Sequence, residues 1–200
     1  MTRKMAQKAG YIAITGSIGS GKSHVCRLLQ LSGVEVYDCD TAAKRLINTS
    51  KPLQDELQRL VGKAVIVDGE LQKAILSAFI LASKENAQAV NEIVHPAVAA
   101  DLVASGTRWF ESAILYSSGF DRRLPLDYVI CVSAPLELRI KRIMQRDGIN
   151  HERATSWLRS QMPQEKMLER ADFNIVNDGR IEIDKQIEQL FINLKTRKLC

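Results

Sequence analysis

Several features that would place a chain in a specialised class are scarce or missing here. No apolar run approaches the ~20 residues of a membrane-crossing helix. The best stretch, Ala74 to Ala82, is about half that length, so no membrane partner is expected. The four cysteines, Cys26, Cys39, Cys131 and Cys200, stand too far apart to pair as metal ligands. Cys26 and Cys131 lie in apolar contexts typical of reduced core thiols, so neither disulfide nor cysteine-metal chemistry is expected. Aromatics make up only 6% of the residues and nowhere alternate with basic ones. A platform for stacked bases is therefore missing, and no nucleic-acid partner is expected. There is no internal repeat and no low-complexity segment. The stretch Met1–Lys8 carries basic residues without an apolar segment behind them, which argues against a secretory signal and for a frayed tail. The cytoplasm is the expected compartment.

What is present fits a single globular domain. Two hundred residues can bury a sizeable core. A net charge of +5 calls for anions without saying which. The organising stretch is Thr15-Gly16-Ser17-Ile18-Gly19-Ser20-Gly21-Lys22-Ser23. It fits the phosphate-binding pattern G-x-x-x-x-G-K-[ST], after an apolar strand (Tyr11–Ile14) and before a helical pattern (Val25–Leu29). Glycines let successive amides turn inward on phosphate oxygens, and the helix start adds donors and partial positive charge. Lys22 would neutralise β/γ-phosphate charge, and the Ser23 hydroxyl would ligate Mg²⁺.

The next strand, Val34–Tyr37, ends in Asp38-Cys39-Asp40. Strand, loop, helix and strand in that order predict an α/β fold: a parallel sheet flanked by helices of the P-loop NTPase type. Ligands collect beyond the carboxyl ends of such strands. Asp40 there has two readings from spacing alone. One carboxylate of the Asp38/Asp40 pair can be a general base for an attacking hydroxyl, and Asp40 can N-cap a helix starting near Thr41; the two roles are not exclusive. From Ser50 to Ser105 the pattern is helical, with a turn at Asp68-Gly69 and a break at His95-Pro96. This block, about 41–105, reads as a helical substrate-binding insertion. His95 by itself reads as structural.

Core strands then resume. Gly106–Phe110 ends at Glu111, where an acid can complete a Mg²⁺ shell; Asp127 precedes its strand and falls at the wrong end. A helix from Pro135 places Arg139, Arg142 and Arg146 within about 60° of one another, with Leu136, Ile140, Ile143 and Met144 on the adjoining face. The arginine stripe is either a solvated face or a grip on phosphate. Residues 135–170 read as a polar, helical lid, with Trp157 packing it. The last strand, Ala171–Val176, ends in Asn177-Asp178-Gly179, which is either a common turn or an amide placed against a base. An amphipathic helix follows, carrying Ile181, Ile183, Ile187, Leu190, Phe191 and Leu194. The core is thus expected at about 10–40, 106–134 and 171–200.

This ordered set resembles the dephospho-CoA kinase family over nearly the whole length. The landmarks are the 15–23 loop, Val36-Tyr37-Asp38-Cys39-Asp40, His95-Pro96, Arg142 with Gln145-Arg146-Asp147, and Ala171-Asp172 running to Asn177-Asp178-Gly179. The resemblance implies phosphorylation of the ribose 3′-hydroxyl of dephospho-CoA by ATP with Mg²⁺, giving CoA and ADP in the final step of CoA biosynthesis. It implies that Asp40, Lys22, Arg142 and Arg146 are catalytic. It further implies ATP contacts at Gly16, Ser17, Ile18, Gly19, Ser20, Gly21, Lys22, Ser23, His24, Arg146 and Asn177. Substrate contacts fall to Asp40 and His95, and metal ligation to Ser23 and Glu111. A monomer or weak homo-oligomer is expected. Three departures stand out: Ser17 for a usual glycine, His24 for a usual threonine, and Ser117 for a frequent glutamate. Arg139 also stands where glutamine is common. The rival readings are another small-molecule or nucleoside monophosphate kinase on this scaffold, and a nucleotide-gated switch with no small acceptor.

Overall fold

The computed structural model describes residues 10–197, so the Met1–Lys8 tail and Cys200 lie outside the described residues. In chain order the elements open with β1 (Tyr11–Thr15), α1 (Lys22–Leu31), β2 (Val36–Asp38), α2 (Cys39–Thr49) and α3 (Lys51–Val61). A short hairpin follows, β3 (Ile66–Val67) and β4 (Glu70–Leu71), then α4 (Lys73–Ala82) and α5 (Lys84–Ser105). The remainder is β5 (Trp109–Glu111), α6 (Phe120–Arg123), β6 (Leu126–Ser133), α7 (Leu136–Asp147), α8 (His151–Arg159), α9 (Gln164–Leu168), β7 (Phe173–Val176) and α10 (Ile183–Arg197).

Five strands form one parallel sheet in the order β2-β5-β1-β6-β7. Its period-two alternation decides which helices cover which face. Ile12 and Ile14 of β1 and Ile130 and Val132 of β6 pack with Val25, Cys26 and Leu29 of α1 and with Ile187, Leu190 and Leu194 of α10. The intervening Ala13, Val129 and Cys131, with Phe110, pack against the α2–α5 side. A third, small cluster, Ile140, Ile143, Ala154 and Leu158, joins α7 to α8.

Register puts the functional ends of three strands level. Glu111 pairs with Ile14 on one side and with Asp38 on the other. The loop after β1, the Asp38–Asp40 corner and Glu111 therefore share the carboxyl edge of the sheet. Asp127 lies near the start of β6, at the opposite edge, in an ion pair with Arg108. The β2–α2 corner is tied to α5 by Asp101, which accepts from Tyr37 Oη at 2.5 Å and pairs with Arg45.

The structure revises several local expectations. His95-Pro96 does not break a helix: α5 runs unbroken through Pro96. Proline forfeits one intrahelical bond, while buried Val90, Val94, Val98, Ala99 and Leu102 hold both halves against the core. Asp68-Gly69 is a turn as expected, with both residues at positive φ, but it forms the tip of the β3–β4 hairpin where the pattern read as helical. Leu136 does not join the apolar face of α7, being 51% exposed; Ile181, equally exposed, precedes α10. Asp40 is not a helix cap, because Asp38 takes that place. Among the described residues no helix is long and apolar enough to cross a membrane.

Candidate active site

A cavity of about 500 Å³ opens at the carboxyl edge of the sheet, lined by the whole loop from Gly16 to Ser23 and by Asp40, Glu111, Arg142, Arg146 and Gln161. Chain geometry explains why the loop tolerates few side chains. Gly19 has φ 78°, and a Cβ there would sit 2.6 Å from the Arg139 carbonyl oxygen. At Gly21, with φ 86°, it would sit 2.0 Å from the Asn177 amide nitrogen. Two glycines thus let α7 and the end of β7 close on the loop.

The amides of Gly19, Gly21, Lys22 and Ser23 meet no acceptor among the described residues, whereas Ser20 N–H bonds the Ser17 carbonyl. Four unspent donors at the start of α1 suit a phosphate chain in number and kind. Lys22 is buried and forms an ion pair with Glu111, whose side chain is 12% exposed. Ser23 and Glu111 both line the cavity, so one hydroxyl and one carboxylate are at hand for a hard divalent cation that takes its other ligands from phosphate and water. Among the described residues no cluster of three His, Cys, Asp or Glu could hold a metal alone. Beside the pair, the Cys26 thiol is kept protonated by burial and by the nearby Glu111 carboxylate.

The two aspartates at the end of β2 have opposite electrostatics. The Asp38 carboxylate accepts from Asp40 N–H at 2.9 Å, Thr41 N–H at 3.0 Å and Thr41 Oγ1 at 2.7 Å. Burial opposes its charge, but the bonds from Thr41 and Asp40 outweigh it and hold the carboxyl below its ordinary range. Asp40 is pushed up instead, by burial first and also by Asp38 and Glu111, with Lys22 opposing. It opens onto the cavity, and part of its surface stays in contact with solvent. A hydrogen-bonded cap beside a raised, accessible carboxylate is an assignment of roles by environment.

The arginines of α7 are not equivalent. Arg139 is buried under the loop. Arg142 donates from one nitrogen to the Gly19 and Ser20 carbonyls, both at 3.3 Å, and from another to Asn177 Oδ1 at 3.1 Å. Arg146, at the cavity mouth, pairs with its neighbour Asp147 at 2.8 Å. That pair is exposed, and such pairs are worth about 0–1 kcal/mol, so the guanidinium is readily released. Asn177 is buried and its amide donates to the Ser20 carbonyl at 2.9 Å. Together with His24 and Gly179 it lines a separate depression of about 360 Å³ beside α1. His95 is not in the phosphate cavity; it lies on α5, with its ring 6.0 Å from that of Phe120.

One participant carried no signal in the sequence. Gln161, between α8 and α9, accepts from Ile18 N–H at 2.9 Å and Ser17 Oγ at 3.3 Å. A lone glutamine in a polar segment has no spacing that marks it. Ser17, the departure from glycine, supplies one of the two contacts.

Comparison with known proteins agrees with this geometry. The sequence profile of the dephospho-CoA kinase family matches residues 10–182. A dephospho-CoA kinase of Bacteroides fragilis is 39% identical over 203 residues, covering 94% of this chain and 96% of that protein. A crystal structure from Thermus thermophilus superposes with a TM-score of 0.78 at 32% identity, covering 92% of this chain and 96% of the other. A dephospho-CoA kinase from Campylobacter jejuni shares the fold, with a TM-score of 0.66 at 22% identity over 94% of this chain and 98% of that one. The extent of these matches, with the phosphate loop and its acid partner on one sheet edge, places the chain in the dephospho-CoA kinase family.

Proposed function

We propose that this protein transfers the γ-phosphoryl group of ATP to the ribose 3′-hydroxyl of dephospho-CoA, giving CoA and ADP. The observation that carries the reading is the sharing of one cavity by unspent loop amides, Lys22 and the raised carboxylate of Asp40. The loop amides bind the β- and γ-phosphates, and Lys22 leaves Glu111 to follow the phosphate charge. Adenosine extends toward the depression lined by His24 and Asn177. Asn177 acts there chiefly by fixing Arg142 and the Ser20 carbonyl.

Asp40 accepts the proton of the 3′-hydroxyl, the freed oxygen attacks γ-phosphorus, and the bond to the ADP oxygen breaks. Ser23 and Glu111 would hold Mg²⁺, which would supply neutralisation of phosphate charge there. Arg146 swings from Asp147 onto the transferring group, while Arg142, fixed on the loop, braces the donor side. Residues 135–170 act as a lid that excludes water during transfer. Positioning and electrostatics account for most of the rate in this chemistry.

ADP release measured with a panel of acceptors tests the reading. Dephospho-CoA is expected to stimulate turnover far above the hydrolysis background, with nucleosides and nucleoside monophosphates giving slow but measurable turnover. Preference for one of those other acceptors would reassign the substrate. Slow hydrolysis indifferent to every acceptor would make the protein a nucleotide-gated switch.

A further inference from the structure

Outside the phosphate cavity lies a second polar chamber of about 400 Å³, walled by α5 and by the chain from Ser117 through α6. Its charged lining is Lys84, Arg122 and Arg123 against the single acid Glu92, with His95 between them. Arg122 and Arg123 bring both guanidinium groups within 4 Å of one point above Gly119, whose φ of 72° and missing Cβ leave room for them. Neither forms an ion pair among the described residues. The adjacent acid, Asp121, is taken by Arg170 at 2.6 Å, and Glu92 accepts from Gln88 at 2.9 Å. Two converging guanidinium groups repel each other unless an anion lies between them. Their forked donors match phosphate oxygens. His95, held toward its neutral form by burial and then by Arg123, adds a donor rather than a third charge.

The chamber adjoins the active site. A small pocket of about 100 Å³, lined by Ile114, Tyr116, Ser160, Met162 and Met167, lies between the two and shares Ala113 and Gln161 with the phosphate cavity and Ser117 with the basic chamber. We infer that Arg122 and Arg123 form the seat for the diphosphate group of the acceptor, across this pocket from Asp40, where its 3′-hydroxyl lies. The inference rests on the proposed reaction and adds the group by which the acceptor is told from a simple nucleoside.

The test compares the wild type with the double variant Arg122→Gln/Arg123→Gln, using dephospho-CoA and, as an acceptor without the diphosphate, adenosine. Loss of charge-assisted bonds to phosphate is expected to raise KM for dephospho-CoA about 10- to 100-fold. KM for ATP and kcat at saturating acceptor should change less than about threefold, and kcat/KM for adenosine should not fall, because only ground-state grip on the diphosphate is removed. The Arg122→Lys/Arg123→Lys variant should recover part of the loss. An unchanged KM for dephospho-CoA in a variant that melts like the wild type would overturn the seat while leaving the kinase reading intact. An equal loss toward adenosine would also overturn it. If the wild type does not use dephospho-CoA at all, the reaction itself fails and the seat with it. Should the double variant not fold, Arg123→Gln alone is measured with the same criteria.

Discussion

The two walls of the phosphate cavity rest on very different foundations. The loop, Asp40 and Glu111 stand on the carboxyl edge of a five-stranded sheet whose β1 and β6 side chains are buried on both faces. Across the cavity, Arg142 and Arg146 stand on α7, which is joined to α8 by a cluster of only four buried residues. Local opening costs least where few apolar contacts break. The sheet wall is therefore the more firmly buried of the two, and opening at the α7–α8 wall breaks fewer apolar contacts.

The largest expected effect breaks the sheet wall chemically. Asp40→Asn should lower kcat by about 10²–10⁴, the range for loss of a general base, with ATP affinity nearly unchanged by titration calorimetry. Asp38→Asn, by contrast, should cost mainly stability, because Asp38 spends its oxygens on the helix start. Equal kinetic losses in the two variants would erase the distinction drawn between them.

The second effect concerns packing. Ile14→Ala and Ile143→Ala remove the same atoms from sites 0% and 1% exposed, and such truncations cost about 2–5 kcal/mol. The first should lower the global melting temperature. The second should be felt chiefly as faster amide exchange across α8, with a smaller shift in melting. Identical melting shifts and an unchanged α8 would show that the two walls share one cooperative unit.

A smaller effect sits at the contact between the walls. Gln161→Ala removes the clasp on Ile18 and Ser17. At about 0.5–1.5 kcal/mol per hydrogen bond, KM for ATP should rise about two- to tenfold, with kcat almost unaltered. A fall in KM instead would mean that the Gln161 oxygen competes with phosphate for the Ile18 amide.

The same contrast explains what the residues disclosed in advance. The loop was legible because its chemistry is local: glycines, lysine and serine at fixed spacing between a strand and a helix. The parallel sheet followed from that unit, and Glu111 from a strand-end argument that the register of β5 satisfies. Spacing could not say which of two nearby acids caps the helix; the three bonds to Asp38 give it the cap, and the catalytic reading of Asp40 rests on its place in the cavity. The unbroken α5 was hidden because proline's local preference lost to five buried side chains on one face. Gln161 and the Arg122–Arg123 pair were hidden for a further reason. Their meaning lies in partners distant in sequence, or in the lack of a partner nearby.

The most direct test of the central claim is the pH dependence of kcat/KM for dephospho-CoA. With Asp40 raised by burial, the deprotonated base is lost as pH falls through a pKa above that of an ordinary aspartate. The account predicts an acid limb displaced upward in the wild type and absent from the residual activity of Asp40→Asn. The same limb persisting in the variant would contradict it, because another group would then be taking the proton.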